Sequence, residues 1–233
     1  MLIAILTLTS LTAHAAAADP VRVLVVTGGH GYETSFYTLF EGYADVKWNH
    51  AVSNTDAFAR DLRDRYDVLV LYDMVQELGE KGREHLRHFL ESGKGLVVLH
   101  HAILNYQDWP WWYETVVGGR YLVKPEGDLA ASSYRHDEQM TLRAVGEHPI
   151  TRGIETIEIE DETYRDVWIA HDVTPLLETD NPTSDRIVAW TSPYEKSRVV
   201  YIQPGHGSPA HRNDGYRRLV YNALMWAAGR TER

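Results

Sequence analysis

The sequence contains no cysteine, so disulfides, a thiolate nucleophile and sulfur ligands to a metal are all excluded. Basic residues are few, since 23 Lys and Arg stand against 33 Asp and Glu and give a formal net charge of −10. DNA and RNA are bound through basic surfaces that neutralise phosphates, so we expect no nucleic-acid partner. Phenylalanine is scarce, with 4 residues against 7 Trp and 14 Tyr. Rings with a polar edge suit a small-molecule sugar.

Charged side chains are also absent from the first eighteen residues, MLIAILTLTSLTAHAAAA. Apolar residues dominate up to Leu11, and Ala13-His14-Ala15 with the following alanines offers small-residue cleavage sites, a pattern typical of a secretory signal peptide. We therefore expect residues 1–18 to be a signal peptide and residues 19–233 to form one domain. The mature protein is then periplasmic or secreted, with no membrane contact after cleavage. An uncleaved anchor is the alternative, because the only charge before the apolar run is the terminal amine.

Apolar runs alternate with helical patterns from Val21 onward. Strands are predicted at 21–27, 46–52, 66–72 and 95–100 and in the run from 198 that stops at Pro204, and helices at 35–42, 79–92 and 212–229. This alternation predicts a doubly wound α/β sandwich with a mostly parallel sheet. The middle of the chain (128–195) is more irregular, and its apolar runs at 154–160 and 186–190 predict an antiparallel extension.

Histidines follow the predicted parallel strands at the points where these strands end. His30 follows the first strand, His100 and His101 follow the fourth, and His206 stands between two glycines after the last. The carboxyl ends of parallel strands meet at one crevice, so we expect His30, His100 and His206 to lie close together. Adjacent side chains that leave a strand point to opposite sides, so we expect His100 to face the crevice and His101 to support the turn.

Seven short motifs occur in a fixed order along the chain: TGGHGYE, GKGLVVLHHA, VGGRY, YRHDE, HPITRG, DETY and GHG. With the Trp-containing C-terminal helix that follows, they resemble the ThuA-like (trehalose-utilisation) family. The resemblance implies a class I glutamine amidotransferase-like fold, a flavodoxin-like three-layer α/β/α sandwich whose nucleophile elbow carries histidine instead of cysteine. His100 takes that position, and an imidazole cannot form the thioester of amidotransferase chemistry. Val98 stands where many members have glycine, which predicts a looser or differently built elbow.

The resemblance also implies the catabolism of disaccharides and keto sugars, and no nucleotide cofactor is expected. Imidazole and carboxylate side chains suit Zn²⁺, Mn²⁺ or Ni²⁺, and His30, His100 and His206 are the candidate metal ligands. A metal of this kind would polarise the carbonyl of a keto sugar.

Further candidates come from YRHDEQ (134–139) and DETY (161–164) and from the segments after the strands. His136 and Glu162 join His100 as candidate catalytic residues. Two carboxylates flanking a glycosidic bond would serve hydrolysis without a metal, and the choice among Asp137, Glu138, Asp161 and Glu162 stays open. The candidate substrate-binding residues are Gly29, Glu33, Asp73, His101, Trp109 and Tyr164. Trp109 is included because a helix capped by Asp108 is predicted to begin directly after the elbow.

Two classes of function remain. One is an enzyme that acts on a glycoside or keto sugar by hydrolysis, elimination or isomerisation, with His100 as metal ligand or general base. The other is a sugar-binding protein without turnover. Conventional uptake receptors have two lobes and a hinge, which a chain of 233 residues without a linker hardly accommodates. The sequence therefore favours the enzyme.

Overall fold

A nine-stranded mixed sheet and a separate two-stranded ribbon contain the strands of residues 19–230. The computed structural model describes residues 19–230, so the predicted signal peptide lies outside the described residues. The strands are β1 (Val21–Gly28), β2 (Val46–Ala51), β3 (Val68–Asp73), β4 (Gly95–Leu99), β5 (Gly119–Arg120), β6 (Ser133–Ala144), β7 (Thr156–Arg165), β8 (Trp168–Ile169), β9 (Thr174–Thr179), β10 (Ile187–Thr191) and β11 (Val199–Ile202). The ribbon pairs β5 with β8.

The nine-stranded sheet has a parallel half and an antiparallel extension. Its strand order is β2-β1-β3-β4-β11-β10-β9-β6-β7. The first five strands pair in parallel, and β10, β9, β6 and β7 continue the sheet with antiparallel pairing. The predicted α/β fold, a parallel sheet with an antiparallel extension, is confirmed.

Helices cover both faces of the parallel half. They are α1 (Asn54–Ala57), α2 (Glu80–Glu91), α3 (Ser208–His211) and α4 (Asp214–Ala227). Because strand side chains alternate between faces, Leu96 and Val98 pack with the α2 side and Val97 and Leu99 with the α4 side. Every residue of β3 and β4 is buried as a result, as expected for strands covered on both faces.

Four further helical segments of residues 19–230 connect these elements. Three are 3₁₀ helices, at Thr34–Phe40, His100–Leu104 and Pro149–Thr151, and one is a π-helix at Trp111–Val117. The helix predicted to be capped by Asp108 therefore begins later, with Pro110 at its N-cap. The Asp108 carboxylate instead accepts a hydrogen bond from Arg83 at 2.5 Å. Within residues 19–230, no helix is long and apolar enough to cross a bilayer.

Candidate active site

The candidate site begins at an elbow where β4 ends and the 3₁₀ turn begins. His100 is the first residue of that turn and has a φ of 50°, a left-handed conformation that is unfavourable for a residue with a Cβ atom. Tyr201 on β11 donates a hydrogen bond to the His100 carbonyl at 3.3 Å. Val98, which we expected to loosen the elbow, is fully buried in the sheet and leaves this left-handed turn in place.

The His100 ring is fixed in one tautomer by the main chain. Its Nδ1 lies 2.7 Å from the carbonyl oxygen of Gln203, and a carbonyl can only accept, so Nδ1 carries the hydrogen. Burial lowers the pKa of His100 well below its usual value, which keeps the ring neutral. The Nε2 atom therefore presents a lone pair to the crevice.

Three side chains surround that lone pair. His100 Nε2 lies 3.1 Å from the Tyr164 hydroxyl, 3.2 Å from His206 Nδ1 and 3.5 Å from Glu162 Oε1. The other carboxylate oxygen of Glu162 lies 3.5 Å from His206 Nδ1 and 2.7 Å from His136 Nδ1. Burial raises the pKa of Glu162, while His206 and His136 lower it. Two imidazole nitrogens at this separation need a proton or a cation between them.

His100, Glu162 and His206 form a group that could hold a metal ion. Their ligand atoms all lie within 4.8 Å of one another. Ligand atoms at 2.0–2.1 Å from a tetrahedral Zn²⁺ are roughly 3.3 Å apart. The two imidazole nitrogens, 3.2 Å apart, match that spacing, whereas the two 3.5 Å separations involve different oxygens of the Glu162 carboxylate. The donor set is two imidazoles and one carboxylate, and a backbone carbonyl orients the His100 ring as it does in many metal sites. We call these three residues the His-Glu-His triad.

His30 takes a different position from the one expected of a metal ligand. The three predicted histidines lie at the same sheet edge, with the rings of His100 and His206 5.3 Å apart and His101 between His100 and His30. His30 is exposed, however, and its Nδ1 bonds the Gly31 carbonyl at 2.6 Å. Glu162 takes the third place in the triad, because β7 brings its carboxylate within 3.5 Å of both His100 and His206.

Asp161 holds the loop that carries His206. Its carboxylate accepts hydrogen bonds from the backbone N–H groups of Gly205, His206 and Glu162, at 2.6, 2.9 and 2.8 Å. Burial raises the pKa of Asp161 to about 7, although these three donors lower it. Gly205 has a φ of 134°, and a Cβ atom there would lie 2.3 Å from the Tyr216 hydroxyl, so the loop requires glycine at this point.

The four candidate carboxylates differ in their contacts and exposure. Glu162 faces the triad, Asp161 is occupied by backbone donors, and Asp137 is exposed on β6. Glu138 lies on β6 and contacts Asn181 at 3.4 Å. Metal-free hydrolysis between two of these four carboxylates has no support in this arrangement.

A bulge in β6 brings His136 to Glu162. The β6-β7 register shifts between Arg135 and Glu138, and Asp137 within the bulge has a φ of 57°. A bulge re-aims side chains in this way, and His136 bonds the Glu162 carboxylate while its own side chain stays half exposed.

Four of the predicted substrate-binding residues adjoin the crevice. A Cβ atom on Gly29, which has a φ of 73°, would lie 2.2 Å from the Met74 carbonyl oxygen, so the chain approaches too closely for any other residue. The Glu33 carboxylate lies beside Gly207. His101 is buried and bonds the Tyr72 carbonyl at 3.1 Å, and burial lowers its pKa to about 3. The Tyr164 ring stacks on His100 at 5.0 Å.

Two other predicted substrate-binding residues lie inside the protein. Trp109 is buried, with its ring packed between Trp111 and Trp112 and under the Arg83 guanidinium. Asp73 is fully buried, and its carboxylate accepts from Asn105 at 2.8 Å. Both positions support the elbow and its connection, so we no longer assign them to substrate binding. Sequence reasoning also missed Gln203, because it acts through its carbonyl and leaves no side-chain signal.

The fold and the triad define an α/β sandwich with a histidine elbow. The chain belongs to the ThuA family, described as trehalose utilisation, whose sequence model matches residues 22–227. A ThuA-like protein from Parabacteroides merdae has a TM-score of 0.79 at 15% identity, covering 92% of each chain. A ThuA-like protein from Bacteroides uniformis scores 0.71 at 19% identity, covering 94% of this chain and 95% of that one. A cytoplasmic protein from Salmonella typhimurium scores 0.65 at 12% identity, covering 88% and 99%. A comparison with curated proteins finds no match.

Proposed function

We propose that this protein is an exported enzyme that acts on a glycoside or keto sugar with a divalent transition metal held by the His-Glu-His triad. Membership of the ThuA family indicates a role in carbohydrate utilisation. The observation that carries the proposal is the arrangement of His100, Glu162 and His206, whose ligand atoms lie within 4.8 Å of one another.

The residues around the triad supply binding and proton chemistry. A bound Zn²⁺, Mn²⁺ or Ni²⁺ would polarise a carbonyl or hydroxyl oxygen of the sugar. His136 is half exposed and bonds Glu162, so it is placed to exchange a proton between the substrate and solvent. Tyr164 is buried and can hold a hydrogen bond to an oxygen at the triad in place of its bond to His100. Elimination, hydrolysis and isomerisation of a keto sugar each need such a proton transfer.

Metal analysis of the purified protein tests this proposal. We expect one Zn²⁺, Mn²⁺ or Ni²⁺ per chain after loading and dialysis, and loss of that metal in His100→Ala, Glu162→Gln and His206→Ala. His171→Ala is the matched control, because His171 is an exposed histidine away from the triad. An unsubstituted protein that binds none of the three metals would contradict the proposed centre.

A screen of glucosides and their keto derivatives, with and without chelator, tests the enzymatic part. We expect turnover that chelation abolishes and added metal restores. Sugar binding without turnover would make the protein a sugar-binding protein instead.

The proposal of export depends on residues 1–18 and is tested separately. Mature protein from the native host should begin between His14 and Val21, which N-terminal sequencing measures. Secreted protein that retains Met1 would contradict cleavage.

A further inference from the structure

One exposed aromatic side chain, Tyr134, lies beside the candidate site on the strand that carries His136. Among residues 19–230, four large hydrophobic residues are exposed: Val52 at 64%, Val123 at 44%, Leu129 at 46% and Tyr134 at 57%. Three of the four fall within residues 123–134, which we call the rim segment. Single exposed hydrophobic residues are ordinary, so what lies beside each one decides whether it has a role.

The rim segment has a defined shape. Leu122 and Ser132 close its base, with the Ser132 N–H donating to the Leu122 carbonyl at 2.9 Å and the Leu122 N–H donating to the Ser132 hydroxyl at 2.8 Å. Ser132 also donates to the Asp166 carbonyl at 2.7 Å. Two backbone hydrogen bonds join Glu126 and Leu129 at 3.0 Å each. Val123 and Leu129 therefore lie on a closed loop, and Tyr134 lies just beyond it on β6.

Both ends of the rim segment adjoin the site. Before it, the Tyr121 ring packs edge-on against Tyr164 at 5.2 Å. At its other end, the Tyr134 ring contacts the His136 ring at 5.1 Å, and His136 in turn contacts His206 at 4.9 Å. The exposed Tyr134 ring thus contacts His136 on one side, and His136 contacts His206 of the triad.

We propose that Tyr134, at the end of the rim segment, forms an outer subsite by stacking on the second sugar ring of a disaccharide whose first ring lies at the triad. This inference rests on the proposed function and specifies its substrate class. A pyranose has apolar C–H faces and hydroxyl edges, which match an exposed tyrosine ring with a polar tip. The occupant is a sugar ring linked to the bound one, because the ring contacts from His206 through His136 lead directly to Tyr134.

Calorimetric titration with trehalose and glucose, and with the keto derivative of each, tests this subsite on metal-loaded protein. Stacking of about 1 kcal/mol, the middle of the range for aromatic stacking, corresponds to a change of about 5-fold in affinity. We expect Tyr134→Ala to weaken binding of the disaccharides by that factor and to leave the monosaccharides within twofold. Tyr134→Phe, which keeps the ring, should stay within twofold for all four sugars. Val52→Ala is the control for loss of an exposed hydrophobic side chain elsewhere.

The outcomes distinguish the subsite from the proposed function. If the unsubstituted protein binds these sugars and Tyr134→Ala weakens disaccharides and monosaccharides equally, or weakens neither, the outer subsite is wrong and the triad proposal stands. If the unsubstituted protein binds metal but none of the sugars, the sugar-active function fails and the subsite fails with it. Thermal melts of each variant confirm that the fold is intact.

Discussion

The parallel half of the sheet and its antiparallel extension contribute to the site in different ways. The parallel half supplies His100 and His206 from turns that follow β4 and β11. The extension supplies Glu162 and Tyr164 from the interior of β7 and His136 from the bulge in β6. Turns offer free backbone groups and approach a ligand closely, whereas paired strands hold side chains rigidly. The site therefore needs both halves, because the turns present His100 and His206 and the strands of the extension hold the side chains that surround them.

Asp161 is the direct link between the two halves. It belongs to β7, yet it binds the backbone of the 205–206 loop of the parallel half. The position of His206 relative to Glu162 thus depends on a carboxylate one residue away from Glu162 itself.

The largest effect should follow from removing one proposed metal ligand from each half. We expect His206→Ala and Glu162→Ala each to lower Zn²⁺ affinity by at least about 100-fold, because loss of a ligand costs more than loss of a supporting contact. Competition with a chromogenic chelator measures the affinity, with His171→Ala as control. Retention of full affinity in Glu162→Ala would show that the extension is dispensable and that the comparison between halves is mistaken.

A second substitution tests the link. Asp161→Asn leaves one acceptor oxygen where a carboxylate accepted three N–H bonds, so we expect a loss of about 1–3 kcal/mol in the free energy of unfolding. Misplacement of His206 should also weaken Zn²⁺ binding by about 10–100-fold. Urea unfolding and chelator competition measure the two effects. If Asp161→Asn lost stability and kept its metal affinity, Asp161 would stabilise the fold without positioning His206.

Substitution of Asp73 tests whether a buried carboxylate of the parallel half affects the stability of the fold without affecting metal binding. Burial raises its pKa from the ordinary 3.8 to about 7, opposed by the bond from Asn105. The folded state then binds more protons than the unfolded state between these values. Asp73 thus contributes stability that is fully present below about pH 4 and lost as pH rises through 7, at a rate of at most about 1.4 kcal/mol per pH unit.

Asp73→Asn should therefore remove this part of the pH dependence and leave metal affinity within twofold. Unfolding free energies of both proteins at pH 5 and pH 8 provide the measurement. Parallel stability profiles for the two proteins would show that Asp73 is ionised in the folded state.

The smallest effect is expected at His136. It supports Glu162 through one hydrogen bond from a half-exposed side chain, so His136→Ala should lower Zn²⁺ affinity by about 10-fold. The free energy of unfolding should change by no more than about 0.5 kcal/mol. Glu138→Ala, on the same strand, is the control that should change neither. A 100-fold loss of Zn²⁺ affinity in His136→Ala would indicate that His136 is itself a metal ligand and not only a support for Glu162.

The two halves also differ in how far the sequence predicts them. Apolar runs that end in glycine and histidine locate the turns of His100 and His206, because parallel strands meet at one edge. The contact between His136 and Glu162 depends on a bulge, and alternation of apolar residues does not indicate where a register shifts. Trp109 shows the opposite error, since its place in the chain suggested the crevice while packing against Trp111 and Trp112 set its position.

The left-handed backbone at His100 has a consequence for engineering of this protein. A non-glycine residue in this conformation costs on the order of 1 kcal/mol, which glycine does not incur. Selection for thermal stability alone would thus favour glycine at position 100, whereas selection for activity would retain the histidine. Stabilised variants should be sought at exposed positions far from β4, where gains in melting temperature carry no loss of function.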